Sequence, residues 1–249
     1  MNMTDYQSNE LNVADVLMLL AKGDLDVQGM LPWSSNYTLL TAVRCDGLQG
    51  LAVYKPRRGE RPLWDFPRGT LCQREVAAYV LSEALGWALV PPTVLRDGPY
   101  GIGSVQLFID ADQEAHLFTM QKEGGFDQAI ERLAVFDVLA NNADRKSGHC
   151  LKGNDGRLWA IDHGICFHVE SKLRTVLWDY AGRPLAPDML ADLRDLREQF
   201  EARDSAFEML ESLLAPDELR VLRRRLDRLV ATGKHPDPGP GRSVPWPPV

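Results

Sequence analysis

In LNVADVLMLLAKG, residues 11–23, apolar positions recur at helical spacing, with Asn12 placed as an N-cap and Gly23 as a stop. The pattern predicts a short amphipathic helix. LDVQGMLPWSSNYTLLTAV then predicts a strand, a small polar turn and a second strand. LQGLAVYKP predicts a third, ended by Pro56. RRGERPLWDFPRGT carries the Arg, Pro and Gly of a loop. Helical period returns in LCQREVAAYVLSEALGW, where Val76, Tyr79, Val80 and Leu85 form an apolar stripe and Gly86 lies near the end. VPPTVL and GSVQLFI predict two more strands, and Gly101 and Gly103 read as part of the turn between them.

The second half is mainly helical. FDQAIERLAVFDVLANN is amphipathic, and LKGNDGRLWAID predicts a hairpin turning at Asn154, Asp155 and Gly156. APDMLADLRDLREQFEARD and PDELRVLRRRLDRLVATG predict helices, with Pro216 suited to a first helical position. The pattern divides into an N-terminal helical extension (1–23), a strand-rich lobe with one long helix (24–112), a mainly helical lobe (113–232) and a Pro-rich tail expected to be disordered (233–249). The expected fold class is α+β in two lobes.

Composition narrows the function classes. The chain has 249 residues, long enough for two lobes sharing a cleft, and its net charge of −7 argues against a general nucleic-acid binder. The four cysteines, Cys45, Cys72, Cys150 and Cys166, lack a framework spacing and read as free thiols in a reducing compartment. The first residues show no secretory pattern, and no run approaches the roughly 20 apolar residues of a membrane span. A cytoplasmic protein is expected.

The candidate chemistry lies in NNADRKSGHCLKGNDGRLWAIDHGICF, residues 141–167. Asp144 and Asp162 flank the predicted hairpin, so the returning chain brings them to one space. Neighbouring carboxylates repel unless a cation lies between them, and such oxygen ligands suit Mg²⁺ completed by phosphates. Lys55 ends the strand VYKP, where it reaches a phosphate as a point charge, and Glu75 starts the long helix of the same lobe as its partner. Singly, each has an ordinary explanation: a solvated lysine, an exposed helix glutamate, a turn former, a strand-end cap. Together, in the order Lys, Glu, Asp, Asp, they match the parts of a phosphoryl-transfer site.

These stretches resemble the phosphatidylinositol 3-/4-kinase-like and HipA-type atypical kinases. AVYKP resembles the strand of the ATP-contacting lysine, and REVAAYVLSEALGWALVPPTV the helix of its partner glutamate with the following strand. GSVQLFI resembles the strand entering the adenine hinge, in the manner of type II phosphatidylinositol 4-kinases. NNADRKSGHCL resembles the catalytic loop and AIDHGICF the metal-binding loop. The likeness spans roughly residues 30–170. LPWSSN and YKPRRGERPLWDFPRGT are also similar to signatures of an actinobacterial family.

The resemblance implies a two-lobed kinase-like fold and a reaction with ATP and Mg²⁺, Mn²⁺ being possible, on a hydroxyl of a protein or small molecule. It implies that Lys55 holds phosphates, Glu75 positions Lys55, Asp144 orients or deprotonates the acceptor, and Asp162 holds the metal. Ser34, Ser35 and Asn36 would cover the phosphates. Gln106, Leu107 and Phe108 would line the adenine site, the last two with backbone hydrogen bonds and apolar walls.

One position departs from the pattern. His149 stands five residues after Asp144, where the family places an asparagine that ligates Mg²⁺. Imidazole is a poorer Mg²⁺ ligand than oxygen. His149 is therefore a candidate Mn²⁺ ligand, a phosphate contact, or the mark of a single-metal site. A nucleotide-binding pseudokinase and an AMP-transferring enzyme remain alternatives, as does a zinc site drawn from His149, Cys150, His163, Cys166 and His168, whose spacing is unlike that of structural zinc modules. Arg57, Arg58, Arg61 and Arg68 could reach the cleft mouth. Lys172 and Arg174 alone give the segment 162–179 little positive charge for a polyphosphoinositide headgroup, so a lipid acceptor is disfavoured.

Overall fold

The computed structural model describes residues 12–31 and 37–248. Helix α1 (Val13–Lys22) begins where Asn12 Oδ1 accepts the Asp15 N–H at 3.0 Å. It ends at Gly23, where a Cβ would stand 2.6 Å from Val43 Cγ1. Strands β1 (Asp24–Met30), β2 (Leu39–Cys45), β3 (Leu48–Pro56), β4 (Thr93–Gly98) and β5 (Gly101–Leu107) form one antiparallel sheet ordered β1-β2-β3-β5-β4. Alternation along β2 buries Leu39, Thr41 and Val43. Leu19 and Leu20 of α1 meet Val43, Ala52, Tyr54 and Val105 in a small core. The segment read as an extension thus ends in a helix that belongs to the sheet's own core. Gly103 lies inside β5 rather than in the turn: a Cβ there would be 2.5 Å from the Lys55 carbonyl oxygen, so glycine lets the two strands close up beside Lys55.

The second lobe contains α3 (Leu117–Glu123), α4 (Asp127–Ala140), a hairpin of β6 (Cys150–Lys152) and β7 (Leu158–Ala160), then α5 (Pro187–Ala202), α6 (Ser205–Leu213) and α7 (Pro216–Thr232). Pro187 and Pro216 each occupy the first helical turn. The sequence pattern did not resolve α3 or α6. Seven and nine residues hold too few turns for a periodic signal. Asp204 nevertheless caps α6, accepting the Phe207 N–H at 2.9 Å.

Helix α2 (Leu71–Ala84) joins the lobes. The expected stripe widens to burial on nearly every side, including Arg74, Glu75 and Ser82, because α2 lies between β4 and β5 on one side and α6 on the other. Its apolar residues merge with Phe136, Leu139, Leu193, Phe200 and Leu222 in one large core. Arg74 is 1% exposed, and its guanidinium donates to the Cys166 carbonyl at 2.6 Å and to Glu218 Oε1 of α7 at 2.5 Å. Glu75, one residue on, is therefore fixed from both lobes.

The tail corrects the expectation of disorder over 233–248. The Ser147 N–H donates to the Pro248 carbonyl at 2.8 Å, and the Thr175 N–H and Trp178 Nε1–H donate to the Ser243 carbonyl at 3.0 and 2.8 Å. Proline lacks an N–H but keeps its carbonyl, so an extended Pro-rich chain still serves as an acceptor edge. Among the described residues, no helix is long and apolar enough to cross a membrane.

Candidate functional site

A cleft of about 560 Å³ opens between the lobes, lined by Val53, Lys55, Glu75, Gln106, Leu107, Phe108, Asp144, Lys146, His149 and Asp162 among others. At its centre Lys55 Nζ lies 2.6 Å from Glu75 Oε1 and 2.5 Å from Asp162 Oδ1. Burial works against the Lys55 charge, but Asp162 and then Glu75 outweigh it and hold its pKa above the usual lysine value. The second Glu75 oxygen accepts the His163 N–H at 2.9 Å, so the glutamate ties the lysine to the loop after β7.

Asp162 takes a left-handed backbone conformation, φ 61°, rare for a residue with a side chain. Its carboxylate is 46% exposed, toward the cleft. The Lys55 ammonium holds its pKa well below the usual carboxylate range.

Asp144 lines the same cleft from a loop built by asparagines. Asn141 ends α4 in the left-handed conformation. Its amide donates to the His168 and Glu170 carbonyls and accepts the Lys172 N–H. Asn142 donates to Asp137 Oδ1 at 3.0 Å and accepts the Asp144 N–H at 2.9 Å. Both amides are thus committed to holding the loop.

Beneath the loop, Arg145 and Asp137, each 0% exposed, pair at 3.1 Å. Asp137 also accepts the Thr175 hydroxyl at 3.1 Å, and Arg145 donates to the Ile161 carbonyl at 2.9 Å. One buried pair therefore joins α4, the Asp144 loop, the chain before Asp162 and the segment at 175. His163 packs against Arg145 at 2.6 Å, and burial followed by the Arg145 charge keeps its pKa low.

Lys55, Glu75, Asp144, His149, Asp162, Gln106, Leu107 and Phe108 all reach this cleft. Ser34, Ser35 and Asn36 lie outside the described residues. The Leu107 N–H donates to the Pro92 carbonyl and the Phe108 N–H to the Leu51 carbonyl, so these two N–H groups are already engaged within the protein. Gln106 likewise spends its amide on Thr93 Oγ1, at 2.8 Å.

The zinc alternative does not assemble. Among the described residues, no three His, Cys, Asp or Glu side chains converge as a metal shell. His168 faces the Asp65 carbonyl and the Phe66 ring, and burial pushes the Cys150 thiol up to about 12.

Two contributors were missed in the sequence. Lys146 lines the cleft with Nζ 3.4 Å from Asp144 Oδ2; its place two residues after Asp144 was the available signal. The Asp137–Arg145 pair had none, because an arginine in a polar run reads as surface.

No family model matches the chain. It is 41% identical over 266 residues to Protein Rv2133c of Mycobacterium tuberculosis, with 92% of this chain and 94% of that protein covered. It is 30% identical over 194 residues to Phosphatidylinositol 4-kinase gamma 4 of Oryza sativa subsp. japonica, covering 60% of this chain and 33% of the kinase, so it spans about a third of that protein's length. Among solved structures, hydra Fam20 with sugar matches with a TM-score of 0.56 at 14% identity, covering 90% of each chain. The Golgi casein kinase matches with a TM-score of 0.52 at 15% identity, covering 88% of this chain and 73% of that one. The two-lobed architecture is thus a kinase-like fold, similar over part of the chain to a phosphatidylinositol 4-kinase, and the chain belongs to the family of Mycobacterium tuberculosis Protein Rv2133c.

Proposed function

We propose that this protein transfers the γ-phosphate of ATP to a hydroxyl of a protein or small molecule, with Mg²⁺ or Mn²⁺ as the metal. The observation that carries the reading is Lys55 clamped between Glu75 and Asp162, with Asp144 lining the same cleft. The solved Golgi casein kinase with Mn/ADP bound has the same fold, which supports a nucleotide and a divalent metal here.

The donor set fits a hard divalent cation: Asp162 turns an accessible carboxylate into the cleft, and Asp144 lines the same cleft with a second. Asp162 would hold the ion, which when bound offsets phosphate charge as the transferring group leaves ADP. Lys55 binds the phosphates and Glu75 keeps it in place. Asp144 orients the acceptor hydroxyl and takes its proton as the new O–P bond forms and the bond to the β-phosphate oxygen breaks, ADP leaving with the electron pair. Lys146 holds Asp144 from the side and adds positive charge at the acceptor end.

A nucleotide-binding protein without transfer is the second reading, favoured by His149 in place of a ligating amide. Incubation with ATP labelled on the α- or γ-phosphate, with each metal and a pool of hydroxyl acceptors, separates the readings. ADP release with γ-label on an acceptor, abolished by Asp144→Asn, supports transfer of phosphate. α-Label on the acceptor makes it an AMP transfer. Nucleotide bound and returned unchanged makes it a pseudokinase.

A further inference from the structure

The segment 57–70 leaves β3 of the small lobe and crosses to the large one before α2 begins. Pro62 and Pro67 bracket Trp64, Asp65 and Phe66 and fix the backbone on either side of them. Arg61 and Leu63 line the cleft, and so do Gly164 and Ile165 of the large lobe. The stretches that follow these residues meet. Asp65 Oδ2 lies 2.9 Å from Lys172 Nζ, with side chains 18% and 10% exposed. An ion pair in open solvent holds little, but one shielded this far is screened much less. His168 Nε2 stands 2.8 Å from the Asp65 carbonyl oxygen. Phe66 is buried against the His168 ring and the Arg74 guanidinium, and the Trp64 ring lies 5.2 Å from the Lys172 ammonium. Glu170 reaches Lys172 only at 3.6 Å with a side chain 74% exposed, so Asp65 is the main partner.

Lys172 is also tied to the loop of Asp144. Its backbone N–H donates to Asn141 Oδ1 at 2.9 Å, and the Asn141 amide donates to the His168 and Glu170 carbonyls at 2.9 and 2.7 Å. The next residue, Asn142, accepts the Asp144 N–H. A path of one ion pair and two asparagines therefore runs from the small lobe to Asp144, and none of it passes through Lys55, Glu75 or Asp162. In-line transfer needs the acceptor oxygen held close to the phosphorus, and a misplacement of about 1 Å can cost about 100-fold in rate.

We infer, on the reading of the cleft as a phosphoryl-transfer site, that Asp65 and Lys172 are positioning residues whose ion pair sets where the Asp144 loop stands relative to the phosphates held by Lys55.

The test uses the full chain, ATP with Mg²⁺ and then Mn²⁺, and water as the acceptor, with ADP release as the rate. Asp65→Asn and Lys172→Met are each expected to lower kcat by roughly tenfold or more while the KM for ATP stays unchanged. The exchanged pair Asp65→Lys/Lys172→Asp should recover most of the loss, and Glu170→Gln should behave as wild type. A loss confined to KM, no loss at all, or a loss that the exchanged pair leaves in place overturns the inference. Hydrogen exchange on the same proteins, free of nucleotide, reads the tie by itself: amides at 141–144 and 168–172 should exchange faster in both single variants and slow again in the exchanged pair. Unaltered exchange in the single variants overturns the tie whatever the protein binds. Wild type that releases no ADP with either metal, yet shows the expected exchange, overturns the transfer reading and the positioning role with it, and leaves the ion pair as a lock between lobes.

Discussion

Lys55 and Asp162, 107 residues apart in the chain, meet at 2.5 Å. One ends a strand of the small lobe and the other follows the hairpin of the large one, so their contact bridges the cleft. Glu75 completes the cluster with a side chain 6% exposed. Removing the Lys55 ammonium leaves the buried Glu75 carboxylate unpaired beside the partly exposed carboxylate of Asp162. Breaking a buried pair by removing one partner costs about 3–5 kcal/mol. Lys55→Met is therefore expected to destabilise by about 3 kcal/mol, and Lys55→Met/Glu75→Gln by less than Lys55→Met alone. Urea unfolding of both variants checks the ordering. Equal losses would mean that Glu75 gains nothing from Lys55.

The Asp137–Arg145 pair supports the loop bearing Asp144. Asp137→Ala leaves a fully buried guanidinium without its carboxylate and is expected to cost about 3–5 kcal/mol. The melting temperature should drop, and hydrogen exchange should speed up at 142–149 and at 174–176 together. Protection lost in only one of these stretches would contradict the shared role of the pair.

The pKa of Asp162 sets a pH signature. Its folded value lies below that of the unfolded chain, about 3.9, so its contribution to stability is complete above that pH and is lost as pH falls through the folded value. The difference in melting temperature between wild type and Asp162→Asn should be constant from pH 8 to pH 5 and narrow only below about pH 4. Narrowing already between pH 7 and 5 would show that Lys55 does not depress Asp162.

The four cysteines are free; Cys72, Cys150 and Cys166 are buried and Cys45 is partly exposed. Burial pushes the Cys72 and Cys150 thiols up to about 12, and Cys166 well above its usual value. In the native protein at pH 8, alkylation should label Cys45 first, and all four should react after denaturation. Rapid native labelling of Cys150 or Cys166 would contradict the packing around the hairpin.

The small lobe was legible because its strands alternate and its turns carry Asp46, Gly47 and Pro56, local signals of local structure. Lys55, Glu75, Asp144 and Asp162 were legible because their order is itself a pattern. The rest depends on tertiary neighbours. Residues on the outer side of the α2 stripe are buried only because α6 covers them, and Arg145 is buried only because Asp137 lies beneath it. The tail's order rests on N–H groups supplied from 147, 175 and Trp178, none of which its own composition announces. His149 was legible as a departure, but its ring orientation is set by the Lys146 backbone and had no sequence signal.

The central claim is that the Lys55–Glu75–Asp162 cleft binds ATP with a divalent metal. Calorimetric titration with ATP in Mg²⁺ and then Mn²⁺, on wild type and Asp162→Ala, tests it most directly. The account predicts metal-dependent binding to wild type that Asp162→Ala abolishes while remaining folded. Absence of nucleotide binding with either metal, or binding that Asp162→Ala leaves unchanged, would contradict it.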